Sequence, residues 1–306
     1  MEIKTLNQVV ELVKSKPKKR IVVASANDEH SIEAVNMAVD MGIVEATLVG
    51  DKDKIQAVCE KLALNPQKFT VIHEADENKA ALLACDLINE GKGDILMKGL
   101  LSTDKYMRAI LNKERGLTPP NAILTHITVV ENPNKLIVVG DCAIILSPDL
   151  KQKMAILRHL IKMANSVGVD NPKVALIAAT EQMSANMPAC VDAAIISKMA
   201  DRGQIKGAVV DGPLSLDVAL DKEITQIKGV NSPVAGEADC LLFPNIESAN
   251  VFYKCCTVFN KYKMGQSWSE QKFLVSYPLA ATALKQNFIL LPSPLHLIKI
   301  KTYNLF

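Results

Sequence analysis

Short runs of branched apolar residues alternate with stretches of helical periodicity along most of this chain, and that alternation restricts the fold more than any other feature. The runs Ile21 to Ala24, Ala46 to Val49, Phe69 to Ile72 and Ile95 to Met97 read as strands. Between and after them, Ser31 to Met41 (closed by Gly42), Asp51 to Leu62, Glu77 to Glu90 and Thr103 to Asn112 read as helices. Strand, helix, strand order predicts a doubly wound α/β fold, a mostly parallel sheet covered on both faces. Such sheets take ligands at the carboxyl ends of their strands, so the residues just after each strand are where chemistry is sought. A second series starts near Leu136 (LIVVG) and passes through a long helix, Leu150 to Val167, and a strand, Val174 to Ala178. It continues through Ile205 to Val210, Cys240 to Phe243 and Ser248 to Phe259. The 306 residues therefore divide into a first α/β domain at 1–135 and a second at 136–264, and after about Met264 the rhythm stops, leaving 265–306 as an aberrant tail.

Composition narrows the partners. Thirty-five Lys and Arg against 33 Asp and Glu leave a net charge of +2, and the one basic cluster (Lys14, Lys16, Lys18, Lys19, Arg20) is short, which disfavours nucleic acid. The N-terminal sequence MEIKTLNQVVELVKSK is an amphipathic charged helix without an apolar signal core, and no apolar stretch approaches the roughly 20 residues of a membrane span. Seven dispersed cysteines, most inside apolar runs, read as buried thiols in a reducing compartment and not as metal ligands. A soluble cytoplasmic protein without a metal is the expectation.

At the strand ends no dinucleotide fingerprint and no P-loop occurs. After Ile95 to Met97 comes Lys98-Gly99-Leu100-Leu101-Ser102-Thr103, in which a lysine, a flexible glycine and a hydroxyl at a helix start suit an anion. A plain N-cap by Ser102 or Thr103 with a solvated lysine is the alternative. His126 closes an apolar run and is either a base or a structural histidine. Asp211-Gly212-Pro213 follows IKGAVV and places a carboxylate at a strand's carboxyl end, or is a plain turn. Gly236 lies near a strand start, and Asn245 and Glu247 open the following helix as ligand contacts or as caps.

In order, MKGLLSTDKYMRAIL, LTHITVV, PDLKQKM, PKVALIAATEQ, MPACVDAAIISKMADRGQIKGAVVDGPLSLDVAL and VAGEADCLLFPNIESANVFYK resemble the phosphate acetyl/butyryl transferase family over roughly Lys4 to Met264, its butyryl branch best. The resemblance implies two α/β domains similar to the isocitrate/isopropylmalate dehydrogenase fold, with the active cleft between them and the chain's end returning to the first. It implies acyl transfer between acyl-CoA and inorganic phosphate, without a metal or other cofactor, in a homo-oligomer. On this reading Lys98, Gly99, Thr103 and His126 form one wall of the substrate site and Asp211, Gly212, Gly236, Asn245 and Glu247 the other.

One family segment is missing. Members carry a Ser-Arg pair and a nearby Asp after a Gly-Ala-Lys-x-Pro turn near the C-terminus, associated with phosphate binding and proton removal from CoA, whereas here no arginine follows Arg202. Restoring one base around the codons of Gly265 and Gln266 back-translates QSWSEQKFLVSYPLAATALKQNF into that turn followed by Ser-Ser-Arg-Gly-Asp. The tail is therefore read as frameshifted, lacking the final strand and helix of the family, disordered or misdocked, with an exposed apolar cleft and impaired activity. Two other readings stand beside the acyltransferase. A nicotinamide dehydrogenase would need a D-x-x-x-D helix and an arginine set for a dicarboxylate, neither of which is found, and a non-catalytic relic is the third.

Overall fold

The computed structural model describes residues 3–119, 121–260 and 262–269, with the backbone of the strand segments 274–276, 288–289 and 298–299. Its contacts divide the chain into two units, one built on Leu6–Leu124 with the chain after Met264, the other on Thr125–Met264 with the first five residues.

In the first unit the elements run α1 (Leu6–Lys14), β1 (Lys19–Ala24), α2 (Glu29–Asp40), β2 (Val44–Gly50), α3 (Lys52–Lys61), β3 (Phe69–His73), α4 (Glu77–Asn89), β4 (Ile95–Lys98) and α5 (Thr103–Ile110). The strands lie in the order β3-β2-β1-β4, all parallel, with Ile21 beside Ala46 on one side and Ile95 on the other. β4 is buried along its whole length and β1 over its last four residues, which is why both read as unbroken apolar runs. α1 turns Leu6, Val9, Val10 and Val13 inward, an i, i+3, i+4, i+7 stripe.

Asp28, Asp51, Asp76 and Ser102 each follow a strand and cap the next helix, with side-chain oxygens accepting from Ser31 N, Asp53 N, Lys79 N and Lys105 N respectively. Each satisfies amides that the helix cannot satisfy itself. These caps hold the strand ends and the following helix starts at one edge of the sheet.

The second unit comprises β5 (Thr125–Glu131), β6 (Leu136–Gly140), α6 (Leu150–Ser166), β7 (Lys173–Ile177), α7 (Pro188–Asp201), β8 (Val209–Leu214), α8 (Leu216–Leu220), α9 (Lys222–Ile227), β9 (Cys240–Leu242) and α10 (Ile246–Val258). Its strands lie in the order β5-β6-β9-β7-β8. β5 and β6 form an antiparallel hairpin and the remaining pairs are parallel. The unit's boundary falls before β5, where the sequence placed it after residue 135, because the hairpin binds β5 to β6 and so to the second unit's strands. The core gathers Val139, Leu241, Phe243, Val218, Tyr253 and Cys256.

β8 departs from the reading of the sequence. The strand continues through Asp211, Gly212 and Pro213 to Leu214, where Ile205 to Val210 followed by a turn was expected. β8 is the outer strand of its sheet, where a proline needs no ladder partner.

Beyond α10, β10 (Lys263–Ser269) leads to β11 (Leu274–Ser276), which pairs in parallel with β4 (Leu274 beside Ile95). The tail therefore places a strand next to β4, a correction to the expectation that it lacks one; its further course lies outside the described residues. Among the described residues no helix is long and apolar enough to cross a membrane. All seven cysteines are free thiols and all but Cys255 are buried.

Candidate functional site

In the first unit the ends of β1, β2 and β4 are knotted by backbone and side-chain bonds. Gly99 N donates to Ala24 O at 2.8 Å and Leu100 N to Ser25 O at 2.7 Å. Ser25 Oγ donates to Leu100 O at 2.8 Å, and Asp51 N donates to Asn27 Oδ1 at 2.8 Å. Ser25 adopts φ +59, a conformation uncommon for residues other than glycine. The approach at Gly99 is tighter than any side chain allows, since a Cβ there would stand 2.2 Å from Ser25 O and 2.8 Å from Ala24 O.

Lys98 closes β4 with its side chain 8% exposed. Its Nζ donates to Gly99 O at 3.4 Å. Burial pushes the amine below the ordinary lysine range, partly countered by the carboxylates of Asp28 and Glu77. Ser102 is the N-cap of α5, and Thr103 is the first helical residue and exposed. Lys98, Gly99 and Thr103 lie on one strand-to-helix connection, which the backbone of Ser25 meets.

In the second unit His126 lies near the start of β5, which runs antiparallel and so places its first residues beside the carboxyl end of β6. The imidazole is 4% exposed, with Nδ1 3.4 Å from Thr128 Oγ1. Asp141, 3% exposed, accepts three backbone amides, from His126 at 3.0 Å, Ala143 at 2.8 Å and Ile144 at 3.0 Å. Asn250 Nδ2 donates to Cys142 O at 3.0 Å and Ile246 N to Leu146 O at 3.0 Å, which ties the loop after β6 to the start of α10. Asn245 caps that helix by accepting from Ser248 N at 3.0 Å, and Glu247 is exposed in its first turn. His126, Asn245 and Glu247 therefore share the sheet's carboxyl edge.

Asp211, Gly212 and Gly236 do not join them. Asp211 and Gly212 sit inside β8, tied to each other by the bond from Gly212 N to Asp211 Oδ1 at 2.8 Å, while Ser197 Oγ of α7 donates to Gly212 O at 3.1 Å. Gly236, at φ +72, lies before β9, at the strand's amino end. Its neighbour Glu237 is held by Lys173 and Lys222, which keep that carboxyl at about 2.

The end of β8 instead delivers Ser215, hydrogen-bonded to Glu181 and Asp217, with Lys228 Nζ 2.9 Å from Asp217 Oδ2. The Ser215 hydroxyl and Lys228 hold the Asp217 carboxyl at about 2. Asp28, Asp141, Glu181, Ser215 and Asp217 were not singled out at the sequence level, though each closely follows a strand. Among the described residues no group of three or more His, Cys, Asp or Glu could hold a metal ion.

The phosphate acetyl/butaryl transferase family matches residues 4–84 and 73–265. The chain belongs to that family. The phosphate butyryltransferase of Clostridium acetobutylicum is 44% identical over 265 residues, covering 86% of this chain and 88% of its own. The phosphate acetyltransferase of Thermotoga maritima is 38% identical over 263 residues, 84% of this chain and 87% of its own. A branched-chain phosphotransacylase from Enterococcus faecalis V583 superposes with a TM-score of 0.76 at 26% identity, over 85% of this chain and 92% of its own.

Proposed function

We propose that this family member transfers an acyl group between acyl-CoA and inorganic phosphate, with butanoyl-CoA as its preferred donor, and that the strand-end loops hold the two substrates. A phosphate oxygen attacks the thioester carbonyl carbon; the C–O bond forms, the C–S bond breaks, and the thiolate leaves as CoA and takes up a proton. Such a step calls for cationic and amide donors near the dianion and for a fixed geometry at the carbonyl. The knotted loops at Lys98 and Gly99 offer a buried ammonium and a close backbone approach, and the edge at His126, Asn245 and Glu247 offers polar side chains on a rigid frame. The observation that carries the reading is the 44% identity to a phosphate butyryltransferase over 86% of the chain.

The finer architecture is assigned to the isocitrate/isopropylmalate dehydrogenase group of doubly wound folds. The enzyme is read as cytoplasmic, free of metal and cofactor, homo-oligomeric and without nucleic-acid or membrane partners. The residues after Met264 are read as out of frame, a proposal supported by the family match ending at residue 265 and by the absence of arginine after Arg202. Activity is then reduced, since a guanidinium fork for phosphate is not replaced by a lysine elsewhere.

The test is CoA thiol release from butanoyl-CoA and from acetyl-CoA, with and without phosphate, by the chain as it stands and by the same chain with one base restored after the Gly265 codon. The reading expects phosphate dependence, a butanoyl preference and a gain of at least about a hundredfold on restoration, the order seen when a residue that stabilises transition-state charge is lost. Equal rates from both chains would refute the frame proposal. Release that ignores phosphate would refute the acyltransferase.

A further inference from the structure

Ser25 holds a backbone conformation that costs a serine energy. Its φ is +59, in the left-handed region that glycine enters freely and a residue with a Cβ does not, and it is fully buried. Glycine would make the same turn without strain, so the turn by itself has no need of a hydroxyl. A strained residue persists where its surroundings hold it, and here the hydroxyl is what they hold.

That hydroxyl is the centre of a chain of hydrogen bonds across three strand ends. Asp51 N, just after β2, donates to Asn27 Oδ1 at 2.8 Å. Asn27 Nδ2 donates to Ser25 Oγ at 3.3 Å, and Ser25 Oγ donates to Leu100 O, two residues after β4, at 2.8 Å. The hydroxyl has one proton, spent on Leu100, and receives Asn27 on a lone pair, so the direction of the chain is fixed. Leu100 N donates back to Ser25 O at 2.7 Å. Ser25 therefore grips Leu100 at both its N–H and its C=O, although Leu100 is 54% exposed. Its carbonyl oxygen is turned toward a buried residue and away from solvent.

We propose that Ser25 is a positioning residue, whose hydroxyl keeps the Leu100 carbonyl turned inward so that the Lys98–Gly99 turn presents no carbonyl dipole to an arriving phosphate. This rests on the reading of that turn as the phosphate contact. A peptide group held in one orientation before the ligand arrives costs no reorganisation at binding, whereas a carbonyl free to swing outward opposes a dianion.

The experiment is calorimetric titration of the full chain with inorganic phosphate, and separately with butanoyl-CoA, for the parent, Ser25→Gly, Ser25→Ala and Lys98→Met. Ser25→Gly removes the hydroxyl and the strain together, so the fold and the thermal midpoint are retained; Ser25→Ala removes the hydroxyl alone. Both serine variants should bind phosphate about tenfold more weakly, the order of one hydrogen bond, with butanoyl-CoA binding unchanged. Ser25→Gly binding phosphate like the parent while Lys98→Met loses it would overturn the positioning role and leave the reading of the turn intact. Equal losses for phosphate and butanoyl-CoA would mark a merely structural role and overturn the proposal as well. Lys98→Met binding phosphate like the parent, or a parent that binds none, would overturn the reading of the turn and the proposal with it.

Discussion

His159 lies buried in α6, its Nδ1 3.2 Å from Thr125 Oγ1. Burial, with Lys162 and Arg158 adding repulsion, pushes its imidazole down to about 4 from 6.5. A depressed value means that the folded state binds fewer protons than the unfolded one between those limits, so stability is complete above about 6.5 and is lost as pH falls toward 4. The loss is about 3 kcal/mol. Urea titrations across that interval should show His159→Gln, whose amide keeps a partner for Thr125, losing less stability than the parent; parallel losses would show that other groups drive the acid effect. Gly99→Ala sets a Cβ against the backbone of Ala24 and Ser25, and a loss of about 2–4 kcal/mol is expected in denaturant melts, with ordinary stability contradicting the close approach. The place of Lys98 and Gly99 at a strand end was legible because they close an apolar run. Asp141 was not, because its three amide donors depend on a loop conformation and on His126, fifteen residues upstream. Asp211 was misplaced because Gly-Pro normally breaks a strand, and only its position on an outer strand lets β8 run on.

Elements that obey a single local rule were the readable ones. α6 opens with a capping box in which Asp149 accepts from Gln152 N at 2.7 Å and Gln152 Oε1 accepts from Asp149 N at 2.9 Å. Asp149→Ala should cost about 1 kcal/mol, read as a lower urea midpoint at unchanged slope. No change would show that packing alone sets the start of the helix. α7 escaped the sequence because its N-cap is Met187, with no side-chain cap bond, and its apolar residues spread around the helix without a clean stripe. β5 escaped although Pro119, Pro120 and Asn121 give a turn signal ahead of LTHITVV, and the antiparallel partner β6 reveals it as a strand. The parallel strands β1, β4 and β9 were legible because burial on both faces demands continuous apolar sequence.

For the molecule as a whole, the repeated strand and capped helix place chemistry at the carboxyl edge of each unit's sheet. Family membership joins the chain to acyl transfer between acyl-CoA and phosphate. The two units were legible from the two series of βα elements, while their boundary was not, since it depends on the pairing of β5 with β6. The tail's strand beside β4 could not be read from composition, because three residues pairing with a distant strand leave no periodicity. Phosphorus NMR of the purified chain with butanoyl-CoA and inorganic phosphate reads the acyl transfer itself. An acyl phosphate signal that grows slowly, in step with free CoA thiol, is the expected result. Free thiol with butanoate and no acyl phosphate, or no turnover by either this chain or the one with its frame restored, would contradict it.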